Sequence, residues 1–487
     1  MPSERYDLVI CGAGAAGMPC AIAAAEQGAR VVVIEKAAEI GGTLHVAGGH
    51  VSAAGTRLQA ELGIEDTPDS HYDDVMRICG NTADPALLRL AVDEAGPLVD
   101  WLHDLGFPFD PEAPQPALIY KPYSVARLYW GEAPGQKGPV ILRTIRPEWD
   151  RHVAAGRITV LLEHALAGLV VEDGRVAGIR ATGPDGAGRE LRGDAVVLAT
   201  GGYGSSPDLF AELTPGAPQV LALARPAATG DGIRAALDLG AEVRGADRFL
   251  LNYGVLPAEP GSTRGASRSE GIDLRPERPR REIWVNEAGE RFVAEDVQSL
   301  AAQHDALRAQ PGQRAWVVLD EACLREGPQV HLAWDSSEVR RRAAEGRVAW
   351  LADSPDALAR RAGLDPAALA RTIEAWNAAC AAGSDPLGRT TGLVPLAEPP
   401  YVAIEMRCAA TVTFGGLAVD GELRVVDAAT REPIPGLFAA GEILGGATTS
   451  GRSYTGGMLL TPALAFGRLL GRRLGASAAA AATPAAG

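Results

Sequence analysis

The chain has 487 residues, 47% hydrophobic and 22% charged, which is ordinary for a globular protein and long enough for two to three domains at ~150 residues each. A net charge of −15 excludes a phosphate-backbone partner as the main function, since nucleic-acid affinity needs clustered Lys and Arg. The six cysteines form no CxxC pair and show no zinc or haem spacing, so a reduced, cytoplasmic setting without a metal site is expected.

Residues 8–25 are uncharged and mostly apolar, the length of a signal peptide or membrane anchor. Asp7 and Glu26 bound the stretch, and its glycines have a meaning of their own, so no integral membrane segment is expected there. "YDLVIC" reads as a buried parallel strand. "GAGAAG" follows, with Gly12, Gly14 and Gly17 in GxGxxG spacing. "MPCAIAAAEQG" reads as a helix stopped at Gly28, and "RVVVIEK" as a second buried strand carrying Glu35. This βαβ order is that of a dinucleotide-binding unit. Gly12 permits the turn, Gly14 lets a pyrophosphate approach, and Gly17 lets helix and strand pack. The helix start offers unpaired N–H groups to phosphate, and Glu35 offers a carboxylate to ribose hydroxyls. Nothing within the unit decides between NAD and FAD.

"EKAAEIGGTLHVAGGH" then adds two glycine pairs, Gly41-Gly42 and Gly48-Gly49, for which a plain nicotinamide domain has no need. Further along come "AVVLATGGYG" (195–204), "TGDG" (229–232), "NEAGERFV" (286–293), "TFGGL" (413–417), "PGLFAAGEILGG" (435–446) and "SGRSYTGGMLL" (450–460). This ordered set resembles the FAD-dependent oxidoreductases of the fumarate reductase and succinate dehydrogenase flavoprotein type, over residues 7 to about 470.

The resemblance implies an α/β protein: a Rossmann-like FAD-binding domain in two parts, 1–242 and 401–475, with an inserted α+β capping domain at 243–400 and a disordered tail at 476–487. It implies that FAD lies along Gly12, Gly14, Ala15, Ala16, Gly17, Glu35, Lys36, Gly42, Thr43, Gly48, Gly49, His50, Ala199, Thr200, Gly201, Asp231, Gly441, Glu442, Leu459 and Leu460. The helix begun by "GGMLL" would turn its N-terminus to flavin N1 and O2, where reduction develops negative charge. Neither His45 nor His50 falls where succinate dehydrogenases carry their flavin-linked histidine, so FAD is expected to be non-covalent. A second glycine fingerprint for NAD(P)H is missing, which leaves an unidentified electron acceptor or oxygen as the redox partner. The six arginines from Arg264 to Arg281 read as a solvated loop.

Within the family two chemistries compete. Fumarate-type reductases carry a histidine before the T-x-GG run and an arginine two residues before the last glycine pair. Here those places hold "AATVTFGGL" and Tyr454, with Arg452 further upstream. The 3-ketosteroid Δ1-dehydrogenase-like desaturases match better, with "GGTLHVAGG" in their spacing, "PALAFG" after the flavin turn, and a tyrosine before the glycines. The tyrosine stands one position nearer to Gly457 than in their pattern. On that resemblance Tyr454 and the Gly457 N–H would grip a ketone oxygen. Tyr253 would take the α-proton, with His331 in reserve, and Tyr120 or Tyr123 would help it ionise. Arg452 and Arg127 would grip a carboxylate or brace their loops. The expected function is desaturation of a cyclic ketone or related small-molecule carbonyl substrate, the alternative an ene-reductase of an unsaturated acid.

Overall fold

The apolar strand Arg5–Cys11 sits at the centre of an eight-stranded sheet, paired in parallel with Val31–Glu35 on one side and with Gly188–Leu198 on the other. The parallel core continues to Ile158–Leu162 and to Pro433–Ala439. Val31–Glu35 is buried throughout, and Arg5–Cys11 and Gly188–Leu198 are apolar and buried over their last four residues, as strands covered on both faces must be. Strand order reverses at Arg5–Cys11, so the crevice beyond Cys11, at the carboxyl ends of the strands, is where such sheets take ligands. Two antiparallel strands, Ala165–Glu172 and Arg175–Thr182, flank the core beside Gly188–Leu198.

This computed structural model describes residues 5–117, 121–214, 220–246, 249–266, 270–275, 278–297 and 300–482. The chain divides into two compact units, one of Met1–Pro215, Arg225–Leu250 and Val412–Gly487, the other of Gly216–Ala224 and Leu251–Thr411. The second unit is α+β. Its sheet is built on the long strand Tyr401–Thr413, which pairs with Arg314–Leu319 and Ala349–Ala352, and its core holds Trp284, Trp316 and Trp376. Its arginine-rich segment differs from the expected solvated loop. Arg278 and Arg280 are buried, Arg278 against Glu282 and Arg280 against the Trp284 ring, while Arg268 lies outside the described residues. No helix among the described residues is long and apolar enough to cross a membrane.

The helix Gly17–Glu26 is covered by the last helix, Leu460–Ala482. Glycines spaced by four on the last helix make this possible. A Cβ on Gly467 would stand 2.1 Å from the Ala16 carbonyl oxygen, and one on Gly471 would stand 2.2 Å from that of Cys20. The contact is therefore backbone on backbone. The last helix runs to Ala482, into the stretch expected to be disordered from 476, because an alanine run has the highest helix propensity.

Gly471→Ala is expected to cost about 1–3 kcal/mol, the range for overpacking a tight interior. Gly188→Ala, where an added methyl meets nothing within 4 Å, is expected to be close to neutral. Urea unfolding of the two variants checks this; equal stabilities would contradict the close packing.

Candidate active site

The first helix begins without a side-chain cap, since Ala16 at its N-cap offers none; the Met18 amide is bonded to the Gly14 carbonyl and Pro19 has no N–H, which leaves the Ala15, Ala16 and Gly17 amides without an acceptor among the described residues. Gly12 packs on the strand end Gly188–Leu198 leads to, with the site of its missing Cβ 2.4 Å from the Ala199 carbonyl oxygen. Gly17 packs in the same way on Gly12. Gly14 differs: its nearest neighbour is the Gly42 Cα, 3.9 Å from where a Cβ would stand. Glu35 closes the turn from the other side, accepting hydrogen bonds from the Ala13 and Ala37 amides at 2.9 Å each. Ala15 is half-buried beside this turn, and Ala16 is buried under the last helix.

Three links hold the second glycine loop and the strand end before it. Arg225 donates to the Gly42 carbonyl. Lys36 donates to Thr229 and pairs with Asp231 at 2.8 Å, tying the end of Val31–Glu35 to the start of the helix Asp231–Leu237. Thr43 is exposed. Gly49 is buried against the Lys137 backbone, and Gly48 is exposed beside His50. His50 stands edge-on to Trp130 at 5.9 Å, and desolvation followed by the Lys137 charge lowers its pKa. Gly201 is half-buried with open space where a side chain would be, and the neighbouring Thr200 hydroxyl is buried with no partner among the described residues. Gly441 approaches Ala16. Glu442 accepts from the Thr413 amide at 3.0 Å, and desolvation holds its carboxyl above the usual range.

The opening of the last helix is strapped to the strand Val51–Ser52. The Ser52 amide donates to the Thr461 hydroxyl at 2.8 Å, and Gly457 packs on Ser52 so closely that a Cβ would lie 2.5 Å from its nitrogen. Gly457 has φ +79, which a side chain would resist. Leu459 and Leu460 are half-buried here, as is Tyr454. Tyr123 is buried, and its hydroxyl donates to the Gly456 carbonyl at 2.5 Å.

Arg127 stands behind Tyr123 with its side chain fully buried. Its guanidinium grips Asp66 through two bonds of 3.0 and 2.7 Å, meets Asp74 at 3.1 Å, and donates to Ser70. With its side chain fully buried and these partners engaged, it braces the loop under Tyr123. Arg452 is exposed, with its amide donating to Thr82 at 2.8 Å.

The two proton-transfer candidates lie in the other unit. Tyr253 packs at the edge of its core, and burial, then the Cys408 thiol, hold its hydroxyl above the phenol range. His331 is buried and stacked on Trp334. Its Nδ1 accepts from the Ala333 and Trp334 amides at 3.1 Å each, and burial lowers its pKa to about 4. Tyr120 lies outside the described residues. Tyr123, expected to help a catalytic base, donates its hydroxyl to the Gly456 carbonyl. The sequence did not single out Ser52, Asp66, Asp74 or Arg225.

A family model described as FAD binding domain matches residues 7–457. A probable fumarate reductase of Shewanella frigidimarina is 29% identical over 471 residues, covering 96% of this chain and 75% of that protein. The 4-oxocyclohexanecarboxylate 2-dehydrogenase of Sinomonas cyclohexanicum is 29% identical over 561 residues, covering 98% of this chain and 94% of that one. In fold, the chain is similar to 3-ketosteroid delta1-dehydrogenase from Sterolibacterium denitrificans, with a TM-score of 0.74 at 21% identity over 97% of this chain and 100% of that one. The crevice suits the cofactor this family holds. Gly14 carries no side chain to keep a pyrophosphate from the turn, Glu35 reaches the ribose side of the turn, and the Thr200 hydroxyl and Glu442 carboxylate offer polar groups further along.

One buried group in this region titrates against the fold. His71 has 0% exposure, packs edge-on to Tyr123 at 5.6 Å, and has no hydrogen-bond partner on either ring nitrogen among the described residues. Burial, then the Arg127 charge, lower its pKa from 6.5 to about 3. The unfolded chain takes up this proton first, so stability falls as pH drops below 6.5. Between pH 7 and pH 5 the native protein is expected to lose about 2 kcal/mol more than His71→Leu. Urea unfolding at the two pH values measures the difference; equal losses would contradict it.

Proposed function

Since the chain belongs to the FAD-binding family of fumarate reductase and succinate dehydrogenase flavoproteins, we propose that it desaturates a cyclic ketone or related carbonyl compound next to its carbonyl group. It is an FAD-dependent oxidoreductase acting on CH–CH bonds. Bound FAD supplies a two-electron acceptor that takes hydride at N5 from carbon.

The observation that carries the finer reading is the turn at 454–457. It sets Tyr454 where fumarate-type enzymes have an arginine, three residues before a glycine amide, that of Gly457, which has no acceptor among the described residues. In this reading the Tyr454 hydroxyl and the Gly457 N–H hold the substrate oxygen, and stabilise it as negative charge develops there. That withdrawal of charge acidifies the α-carbon. Tyr253 takes the α-proton, and its raised pKa makes it a strong base that is seldom ionised near neutral pH. Arg452, exposed on the same turn, suits a carboxylate carried by the substrate. The similarity to a dehydrogenase named for a cyclic keto acid supports both features. The second reading, an ene-reductase of an unsaturated acid, is favoured by the similarity to a probable fumarate reductase.

Anaerobic mixing of the oxidised protein with 4-oxocyclohexanecarboxylate and other cyclic ketones is expected to bleach the flavin. Tyr454→Phe is expected to slow the bleaching by about 100-fold, the scale of losing one oxyanion donor. Tyr253→Phe should abolish it while ligand binding persists. Reoxidation of the reduced protein by unsaturated acids, with no bleaching by any ketone, would establish the second reading instead. The flavin is expected to be non-covalent, because His45 is engaged with the Ile40 carbonyl and Glu39 and His50 with Trp130. Acid precipitation should leave the yellow colour in the supernatant; colour in the pellet would contradict this.

A further inference from the structure

Gly456 and Gly457 are joined by a peptide with no side chain on either flank. Rotating this peptide changes only ψ of one glycine and φ of the next, so both of its orientations are open to the backbone. The cis bonds among the described residues are Ala113-Pro114 and Pro399-Pro400, so this one is trans, and its C=O and N–H point in opposite directions. Whatever fixes the carbonyl therefore aims the amide.

The carbonyl is fixed by Tyr123, whose hydroxyl donates to it at 2.5 Å. Tyr123 is itself held on three sides. The His71 ring stands edge-on at 5.6 Å and 82°, and the Arg127 guanidinium lies 5.2 Å over the ring. Asp74 grips the next residue, accepting from the Ser124 amide at 2.6 Å and from its hydroxyl at 2.7 Å. Asp66 and Asp74 in turn hold Arg127. Burial keeps the phenol protonated, so toward the carbonyl it acts as a donor. On the far side of the same peptide, no described residue accepts a hydrogen bond from the Gly457 amide.

We infer that Tyr123 is a positioning residue, whose hydroxyl, acting through the Gly456 carbonyl, selects the peptide orientation that turns the Gly457 amide outward as a donor to an anionic, enolate-like oxygen. This rests on the reading above that the Gly457 amide meets the substrate oxygen. It assigns a purpose to the buried Arg127–Asp66–Asp74 group, which touches no substrate: it keeps the phenol in place. Without the hydroxyl the peptide samples both orientations, and in the flipped one a carbonyl oxygen, an acceptor, faces the developing negative charge.

The test uses the FAD-loaded protein and its Tyr123→Phe and Tyr454→Phe variants. Tyr123→Phe keeps the ring packing and removes only the hydroxyl. The probes are 4-substituted phenols of differing acidity, whose phenolate oxygen imitates an enolate, with binding followed by the flavin absorption spectrum. The expected result for Tyr123→Phe is unchanged flavin content and melting temperature, binding of phenols weakened about tenfold, and a flatter dependence of affinity on phenol acidity. Turnover of a substrate ketone should fall in kcat with KM little changed. If Tyr454→Phe weakens phenol binding and Tyr123→Phe leaves affinity and slope as in the native protein, the inference is overturned and the carbonyl grip survives. If neither variant changes phenol binding, both the inference and the grip fail. Loss of flavin or of thermal stability in Tyr123→Phe would overturn it as well, because the hydroxyl would then be serving the fold.

Discussion

The structure depends on backbone meeting backbone where side chains would have to stand. Gly17 lies against the Gly12 carbonyl, Gly12 against that of Ala199, and Gly467 against that of Ala16. These contacts draw the opening βαβ unit, the strand end at 198 and the final helix onto one turn. Interiors packed to this density do not yield to an added methyl. The cofactor crevice is thus a by-product of how three distant segments approach, and it is rigid because all of them are pinned at one place.

A second constraint is electrostatic. The side chains of Arg127 and Asp66 are fully buried and that of Asp74 nearly so. Such a group contributes little net stability compared with apolar packing, but breaking it leaves a buried charge unpaired, at a cost of ~3–5 kcal/mol. It is therefore a device for fixing geometry. Here it fixes Tyr123, and through Gly456 it reaches the turn that opens the last helix. The glycine turn gains direction from a network that lies more than 300 positions earlier in the sequence.

The cofactor half of the site was legible because its signal is local. Gly12, Gly14, Gly17 and Glu35 fall within one βαβ unit, and each residue type has a single physical reason to be there. The substrate half was less so. Ser52 meets Thr461 across 409 positions, and Arg225 meets Gly42 across 183, distances over which spacing carries no information. Arg127 reads the same in sequence whether it faces a carboxylate on a ligand or one on Asp66; only burial separates the two. Tyr123 was picked out for its chemistry, yet its hydroxyl serves a carbonyl that no motif announces. The alanine-rich end was read by its low complexity, where helix propensity governs through Ala482.

Gly14 offers the most direct measurement, because within the glycine fingerprint it is the one whose absent side chain is not required by a close contact within the protein. A methyl there meets only the Gly42 Cα, at the ordinary distance of 3.9 Å, and its backbone is not in the left-handed region. Gly14→Ala should therefore fold and, stripped of cofactor, melt like the native protein stripped of cofactor, while the methyl occupies the space a pyrophosphate needs. Titration of FAD into both apoproteins, followed by quenching of flavin fluorescence, is predicted to show tight binding by the native chain and a large loss of affinity in the variant. Equal affinities would mean that the dinucleotide does not lie against Gly14, and the account of this site would fall with it.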